Sequence, residues 1–126
     1  VPGRRWAVNR RTVRTVPGLF AANERVIVWC ESGAGRFAVV LVGALNVASI
    51  SLDFSGEVPS AGSVVRTRYG ATDPALAIPT GGLLGQFNLG STVVVVAEHG
   101  LVTLDDIPTL GTSVRMGVRL GQSATR

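Results

Sequence analysis

The chain has 126 residues, of which 46% are hydrophobic and 16% are charged, and these values predict one packed domain rather than a disordered segment. All twelve basic residues are arginine, which excludes lysine Schiff-base enzymes, P-loop phosphate sites and biotin or lipoate carriers. A single cysteine, Cys30, excludes an internal disulfide and fits a reducing compartment. With only one histidine, His99, a structural zinc site is not expected.

The formal net charge of +4 is concentrated near the N-terminus, where six of the twelve arginines precede Val26. Two interpretations of the first five are open. They form either a patch for anionic lipid headgroups or a charged edge strand that discourages aggregation. The cluster consists of Arg4, Arg5, Arg10, Arg11 and Arg14.

Short apolar runs rich in valine and isoleucine, interrupted by glycine and proline, predict an all-β fold with little helix. The first two predicted strands form a hairpin, and the last is apolar on both faces, which predicts a central strand. A stretch with two prolines and a Gly-Gly pair, residues 74–84, is predicted as loop. The predicted strands are residues 26–30, 36–44, 46–53, 64–69 and 93–97.

Two glycine- and valine-containing segments, residues 56–64 and 111–121, resemble the strand-and-turn repeats of the barrel-sandwich hybrid fold, the architecture of biotinyl and lipoyl domains. We therefore expect a single β-rich domain over residues 1–126, antiparallel and similar to a barrel-sandwich hybrid. The longest apolar run, residues 37–45, is far shorter than the roughly 20 residues of a membrane-spanning helix. The opening Val-Pro-Gly is typical of a turn, so we expect the chain to be part of a longer protein.

The segment that predicts chemistry is GQFNLGSTVV at residues 85–94. A Gly-Ser-Thr triplet alone is an ordinary turn, but this one directly precedes an apolar strand. Gly90 has no Cβ, so its carbonyl can be approached closely. The Ser91 hydroxyl is then placed to attack that carbonyl, convert the amide to an ester and eliminate, leaving an N-terminal pyruvoyl group. Thr92 is interpreted either as a second hydroxyl or as a β-branched strand residue.

This segment resembles the self-cleavage site of proteobacterial phosphatidylserine decarboxylases, in which the serine of Gly-Ser-Thr becomes the pyruvoyl group. Two further blocks are similar to the same family in order and spacing. One is VPGLFAANERV at residues 16–26, and the other is VGA at 42–44 with Val47 and Ile50 after it. The resemblance extends over residues 1–126.

The resemblance implies that the chain is the C-terminal part of a proenzyme that converts phosphatidylserine to phosphatidylethanolamine and CO2. Residues 1–90 would end the β chain, and residues 91–126 would form the α chain after cleavage between Gly90 and Ser91. Ser91 would be the pyruvoyl precursor and Schiff-base site, with no metal. The implied partners are membrane phosphatidylserine and the N-terminal part of the same protein, without nucleic acid, on the cytoplasmic side of the bacterial cell membrane. A homodimer is left open.

Family members place an aspartate and a histidine, upstream of the region corresponding to Val1, close to the cleavage serine. The resemblance therefore predicts that this chain alone stays unprocessed and inactive. His99 matches no such motif and is interpreted as part of a surface turn. Two acids after the serine, Asp105 and Asp106, match no such motif either.

Other residues carry more than one interpretation. Asp53 and Asp73 are predicted at turns or strand ends. Trp6 and Phe20 are either interface anchors or core aromatics, and the core is the commoner place for such rings. Glu24 and Arg25 lie in a block that resembles the family. An ion pair is as good an interpretation for them as a catalytic role.

Two other functions compete with the decarboxylase hypothesis. One is a noncatalytic, arginine-rich β-barrel module that binds anionic lipid or nucleic acid. Only Trp6 lies within the arginine cluster, so aromatic residues for base stacking are scarce. The other is a serine hydrolase, but the Gly-x-Ser-x-Gly elbow is absent.

Overall fold

The computed structural model describes residues 1–45, 49–60, 62–69, 76–88, 92–105 and 111–124. Two short helices and eight strands lie in this part of the chain, which confirms the all-β prediction with little helix. The helices are α1 (Arg10–Thr15) and α2 (Leu19–Ala22). The strands are β1 (Arg25–Ser32), β2 (Gly35–Val42), β3 (Ile50–Leu52), β4 (Gly56–Val58), β5 (Gly85–Phe87), β6 (Thr92–Ala97), β7 (Val102–Leu104) and β8 (Gly121–Ser123).

The strands form three small sheets, with the orders β1-β2-β6, β4-β3-β5 and β7-β8. In the second sheet β3 pairs antiparallel with β4 on one side and with β5 on the other. In the third sheet β7 pairs antiparallel with β8. Among the described strands these sheets form no closed barrel.

The chain divides into two compact units. The first comprises Val1–Ile27 and Val40–Val94, and the second comprises Val28–Val39 and Val95–Arg126. Apolar burial stabilises each unit, at about 2 kcal/mol for a fully buried aliphatic side chain. The buried apolar residues of the first unit are Leu19, Leu41, Val42, Ile50 and Leu52, and those of the second are Ala38 and Leu101.

The strand predictions are confirmed where apolar residues meet a partner strand. β1 and β2 lie next to each other in the sheet and are joined by two residues, as expected for a hairpin. In β3 the alternation is also confirmed, because Ile50 and Leu52 are buried while Ser51 is half-buried. The first residues predicted for that strand, 46–48, lie outside the described residues. Residues 76–84 contain no strand, in agreement with the predicted loop.

Two strand predictions are wrong in part or in whole. Residues 64–69 are not a strand, and all of them are exposed, so their alternation in sequence does not correspond to a buried face. The run 93–97 is a strand, but β6 lies at the end of its sheet order, and Val93 and Val95 are exposed. A run of valines favours an extended backbone. Whether the resulting strand lies in the centre of a sheet depends on which strands, distant in sequence, pair with it.

The edge-strand interpretation of the N-terminal arginines is wrong for Arg10, Arg11 and Arg14, because these three lie in helix α1. The helix begins at a reciprocal cap. The Asn9 side chain accepts hydrogen bonds from the backbone N–H groups of Arg11 and Thr12, and the Thr12 hydroxyl accepts one from the Asn9 N–H. This cap satisfies N–H groups that a helix end leaves free, so the local sequence favours helix over strand. Among the described residues, no helix combines the length and apolar character needed to cross a bilayer.

Candidate active site

The strand before the predicted cleavage bond is held against β3 by a close backbone approach. In the β3–β5 pair, Leu52 lies opposite Gly85 and Ile50 lies opposite Phe87. A Cβ added to Gly85 would lie 2.5 Å from the Ser51 carbonyl oxygen. Glycine is therefore required where β5 begins, because any side chain would push β5 away from β3.

Hydrogen bonds extend this pairing beyond both ends of β5. The Asp53 N–H donates to the Leu84 carbonyl at 3.1 Å, and the Asn88 N–H donates to the Ser49 carbonyl at 3.3 Å. The Asn88 side-chain amide also donates to the Ser49 hydroxyl. Residues 84–88 are consequently fixed along their whole length as they approach the candidate cleavage segment.

On the other side of that segment, Thr92 is the first residue of β6 and is half-buried, as expected for its strand interpretation. β6 neighbours β2, so it belongs to a different sheet from β5. Gly90 and Ser91, the predicted cleavage residues, lie with Leu89 outside the described residues. The described residues nearest to the predicted bond are Asn88, which is hydrogen-bonded to Ser49, and Thr92, which begins β6.

Asn23, in the NERV part of the 16–26 block, is fully buried and connects three chain segments. Its side-chain oxygen accepts from the Trp6 N–H at 3.0 Å. Its amide nitrogen donates to the Trp6 carbonyl and the Gly43 carbonyl, both at 2.9 Å. Because every polar atom of the side chain has a partner, the burial of this amide is compensated. Asn23 thus joins the N-terminal segment to the end of β2.

Glu24 does form an ion pair, as one interpretation predicted, but with Arg5 rather than with Arg25. The Arg5 Nε lies 2.8 Å from one carboxylate oxygen of Glu24, and the Ser60 hydroxyl donates to the other oxygen at 2.8 Å. Arg5 also donates to the Ser60 hydroxyl at 3.0 Å. Arg25 instead donates to the carbonyls of Ala21 and Asn23.

Burial acts to raise the pKa of the Glu24 carboxyl. The hydrogen bonds from Ser60 and Arg5, together with the positive charges of Arg5 and the N-terminus, outweigh it and lower the pKa below its ordinary value. Glu24 is therefore ionised at neutral pH and holds Arg5 and Ser60 in place. This role is structural, since both partners belong to the fold.

Replacing Glu24 with glutamine is expected to lower the free energy of unfolding by about 1–2 kcal/mol at neutral pH, because charge-assisted hydrogen bonds are lost. The folded pKa lies below the unfolded pKa, so the carboxylate stabilises the fold above the unfolded pKa. That contribution is lost as the pH falls through the folded pKa. Urea unfolding of wild type and Glu24→Gln should give free energies of unfolding that differ at neutral pH and become more similar at acid pH.

The control is Glu57→Gln at an exposed position, which should change the free energy of unfolding little. If the difference between wild type and Glu24→Gln did not depend on pH, the assignment of Glu24 would be contradicted.

The remaining candidates that the structure describes lie in turns or form an ion pair. His99 is exposed in a turn, as predicted, and lines a cavity of about 300 Å³ in the second unit. Asp53 lies in a turn directly after β3, also as predicted. Asp105 pairs with Arg119 at 2.8 Å. Asp73 and Asp106 lie outside the described residues.

Cys30 shows no sign of a reactive thiol, since burial raises the pKa of that thiol. In the described ranges, no three histidine, cysteine or acidic side chains lie close enough together to hold a metal ion.

The core interpretation of Trp6 and Phe20 is wrong, because their exposed fractions are 43% and 36%. The backbone N–H and carbonyl of Trp6 are hydrogen-bonded to the Asn23 side chain, and Leu19 is the residue of α2 that is buried in the core.

The sequence analysis did not identify the contributions of Arg5, Ser60 and Asn23. Asn23 lay within a recognised block, whereas nothing local to Ser60 pointed to a partner 36 positions away.

Comparison with known proteins identifies the chain. The phosphatidylserine decarboxylase family matches residues 1–122. Several relatives are named phosphatidylserine decarboxylase proenzyme. The protein of Bordetella avium is 42% identical over 125 residues, which cover 98% of this chain and 42% of the relative. The protein of Azotobacter vinelandii is 42% identical over 127 residues, which cover 98% of this chain and 44% of the relative. A third is that of Shewanella frigidimarina (44% identical over 121 residues, 93% of this chain and 42% of the relative).

The chain spans less than half the length of these relatives. No solved structure matches it. The family match covers almost the whole chain, and the resemblance noted from the three sequence blocks is confirmed. The chain belongs to the phosphatidylserine decarboxylase family.

Proposed function

We propose that the full-length protein decarboxylates phosphatidylserine and that Ser91 is the precursor of its pyruvoyl group, formed by cleavage of the Gly90–Ser91 bond. Family membership supports this proposal, and the relatives are named as proenzymes, which implies a processing step. The sequence Leu-Gly-Ser-Thr-Val at residues 89–93 supplies the glycine carbonyl and the serine hydroxyl that such a step needs.

The observation that carries the proposal is the pairing of the described residues that flank the proposed cleavage bond. Residues 84–88 are hydrogen-bonded along β3, and Thr92 begins β6 next to β2. The described residues on either side of the proposed cleavage bond are therefore each held by a partner strand. A hydroxyl held near its own preceding carbonyl attacks far more readily than one on a flexible chain.

The residues present fit the formation of this group. The Ser91 oxygen forms a bond to the Gly90 carbonyl carbon while the Gly90–Ser91 C–N bond breaks, and the hydroxyl proton passes to the released amine. Elimination of the resulting ester takes the Cα proton of residue 91, leaves a carboxylate on Gly90 and leaves a dehydroalanine at the start of the second chain. Tautomerisation to an imine and hydrolysis by one water then release the nitrogen as ammonia and leave the pyruvoyl carbonyl. Gly90 assists because it has no Cβ to block the attack.

A pyruvoyl group supplies a carbonyl that takes up the amine of the substrate and the electron pair released with CO2. This chain contributes no lysine anywhere in its sequence, so no lysine amine of its own competes with the substrate for that carbonyl. The alternative of a noncatalytic binding module has no comparable support, because the relatives are decarboxylase proenzymes.

The proposed partners follow from the length of the relatives. The chain covers 42–44% of the Bordetella avium and Azotobacter vinelandii proteins, so we propose that the N-terminal part of the same protein contributes the aspartate and histidine that assist cleavage. The proposed substrate is phosphatidylserine in the membrane, reached from the cytoplasmic side of a bacterial cell as a peripheral protein. A homodimer is a further proposal, to be tested by sedimentation equilibrium of the full-length protein.

Denaturing mass spectrometry of the full-length protein tests the processing step. We expect two polypeptides, one ending at Gly90 and one beginning at residue 91 without a free N-terminal amine. Residues 1–126 expressed alone should give a single species at full mass, because the upstream aspartate and histidine are missing. A full-length protein that stays uncleaved and still decarboxylates phosphatidylserine would refute the proposal.

A further inference from the structure

Helix α1 (Arg10–Thr15) contains three arginines and no buried residue. Arg10, Arg11 and Arg14 are exposed, and so is Val13, at 45%. The helix is short and is held by its Asn9 cap and by the Thr12 hydroxyl, which donates to the Ala7 carbonyl. Its outer face is therefore exposed within the described part of the chain.

The positive charge of this helix has no acidic partner among the residues that the structure describes. Residues 1–23 contain five arginines and no acidic residue. The first acidic residue of the chain, Glu24, forms an ion pair with Arg5. The ion pairs of the described residues involve Arg5, Arg36 and Arg119, and none involves an arginine of α1. A charged face that forms no ion pair within the described part of the chain attracts anions.

The arginines and the exposed valine share one side of the helix. Successive helical residues are separated by about 100° around the axis, so Arg10 and Arg14 project about 40° apart. Val13 lies beside Arg10, and Arg11 lies on the other side of Arg14. Thr12 projects roughly opposite Arg10 and is hydrogen-bonded to the Ala7 carbonyl. We call this side the arginine face of α1, consisting of Arg10, Arg11, Val13 and Arg14.

We propose that the arginine face of α1 docks onto an anionic lipid bilayer. Guanidinium groups bind phosphate oxygens in pairs of hydrogen bonds, and an aliphatic side chain among them can enter the headgroup region. Two large apolar side chains of the same N-terminal segment, Trp6 and Phe20, are also exposed. A bilayer matches this mixture of cationic and apolar groups better than a nucleic acid, for which stacking rings would be needed.

This inference rests on the proposed function, since it supplies a surface for an enzyme whose substrate is a membrane lipid. In this inference the arginine face of α1 brings the enzyme to the membrane that contains its substrate. It takes no part in the cleavage of the chain. Binding is expected to weaken as salt rises, because the attraction between exposed charges and a lipid surface is screened.

The test is co-sedimentation of the full-length protein with vesicles of phosphatidylcholine, with and without phosphatidylglycerol. Each arginine near an anionic surface contributes about fivefold to partition, so the triple variant R10Q/R11Q/R14Q should bind the anionic vesicles roughly a hundredfold more weakly. The matched control R66Q/R68Q/R115Q removes the same charge from exposed positions elsewhere. It should bind within about twofold of wild type, because the proposal assigns the lipid contact to α1, which this variant leaves intact.

Circular dichroism and the thermal unfolding midpoint establish that each variant is folded. Val13→Ser gives an independent measurement. It keeps the charge but removes the apolar contact, and should weaken binding about threefold without changing the salt dependence. Ser91→Ala should lose chain cleavage but bind vesicles like wild type, so failure of the proposed function and failure of this inference are distinguishable.

Three results would overturn the inference. The first is unchanged vesicle binding by the folded triple variant or, if that variant does not fold, by Val13→Ser. The second is an equal loss in the control triple variant, which would mean that net charge alone determines binding. The third is loss of affinity for a DNA duplex in the α1 variant with vesicle binding intact.

Discussion

Ser91→Ala in the full-length protein is expected to abolish chain cleavage and to reduce phosphatidylserine decarboxylation at least about 1000-fold, because alanine has no hydroxyl to attack the Gly90 carbonyl. Without that attack the peptide bond stays intact and no pyruvoyl group forms. The measurement combines a denaturing gel, which separates cleaved from uncleaved protein, with release of CO2 from phosphatidylserine.

The control for this substitution is Ser113→Ala, which removes a serine hydroxyl from an exposed position in the second unit. It should be cleaved and active like wild type. Cleavage of Ser91→Ala at the same bond, with decarboxylation retained, would show that residue 91 is not the precursor. The pairing of β5 with β3 and the position of β6 next to β2 would then no longer support cleavage at this bond.

Asn23→Leu is expected to lower the free energy of unfolding by about 3–5 kcal/mol, because it removes three hydrogen bonds while filling a similar volume. The Gly43 carbonyl would lose its side-chain donor within a buried site, and the Trp6 backbone would lose both contacts that join it to the core. Chemical denaturation of the full-length protein measures the change, with cleavage recorded in parallel.

A second asparagine provides the comparison for this prediction. Asn9 is exposed and caps α1, so Asn9→Ala should destabilise by only about 1 kcal/mol. If both substitutions had the same small effect, the buried contacts of Asn23 would not be stabilising the first unit. Comparing the two variants distinguishes the role of Asn23, which joins chain segments in the core, from that of Asn9, which caps one short helix.

Several features could be predicted from sequence because their causes are local. Short valine- and isoleucine-rich runs separated by glycine favour strands, and β1, β2 and β6 lie where such runs occur. Asn9 followed three residues later by Thr12 is also a local signal for a helix start. The sequence predictions did not use this signal and placed no helix at residues 10–15.

The candidate site could be predicted in part. The ordered blocks indicated residues 85–94 as the proposed cleavage segment, and the family comparison agrees with the resemblance. The contacts of Glu24 could not be predicted, because Arg5 and Ser60 lie 19 and 36 positions from it in sequence. Pairing at such distances is set by how the chain folds back on itself.

The sequence by itself therefore determined the family, the all-β class and the residues proposed for cleavage, since these depend on composition, local backbone preference and ordered motifs. Only the tertiary structure decided that Asn23 is buried, that Glu24 binds Arg5 and Ser60, and that β6 lies at the end of its sheet order. The physical reason is that burial and pairing depend on contacts between residues distant in sequence. A local pattern states a preference for such contacts but does not select the partner.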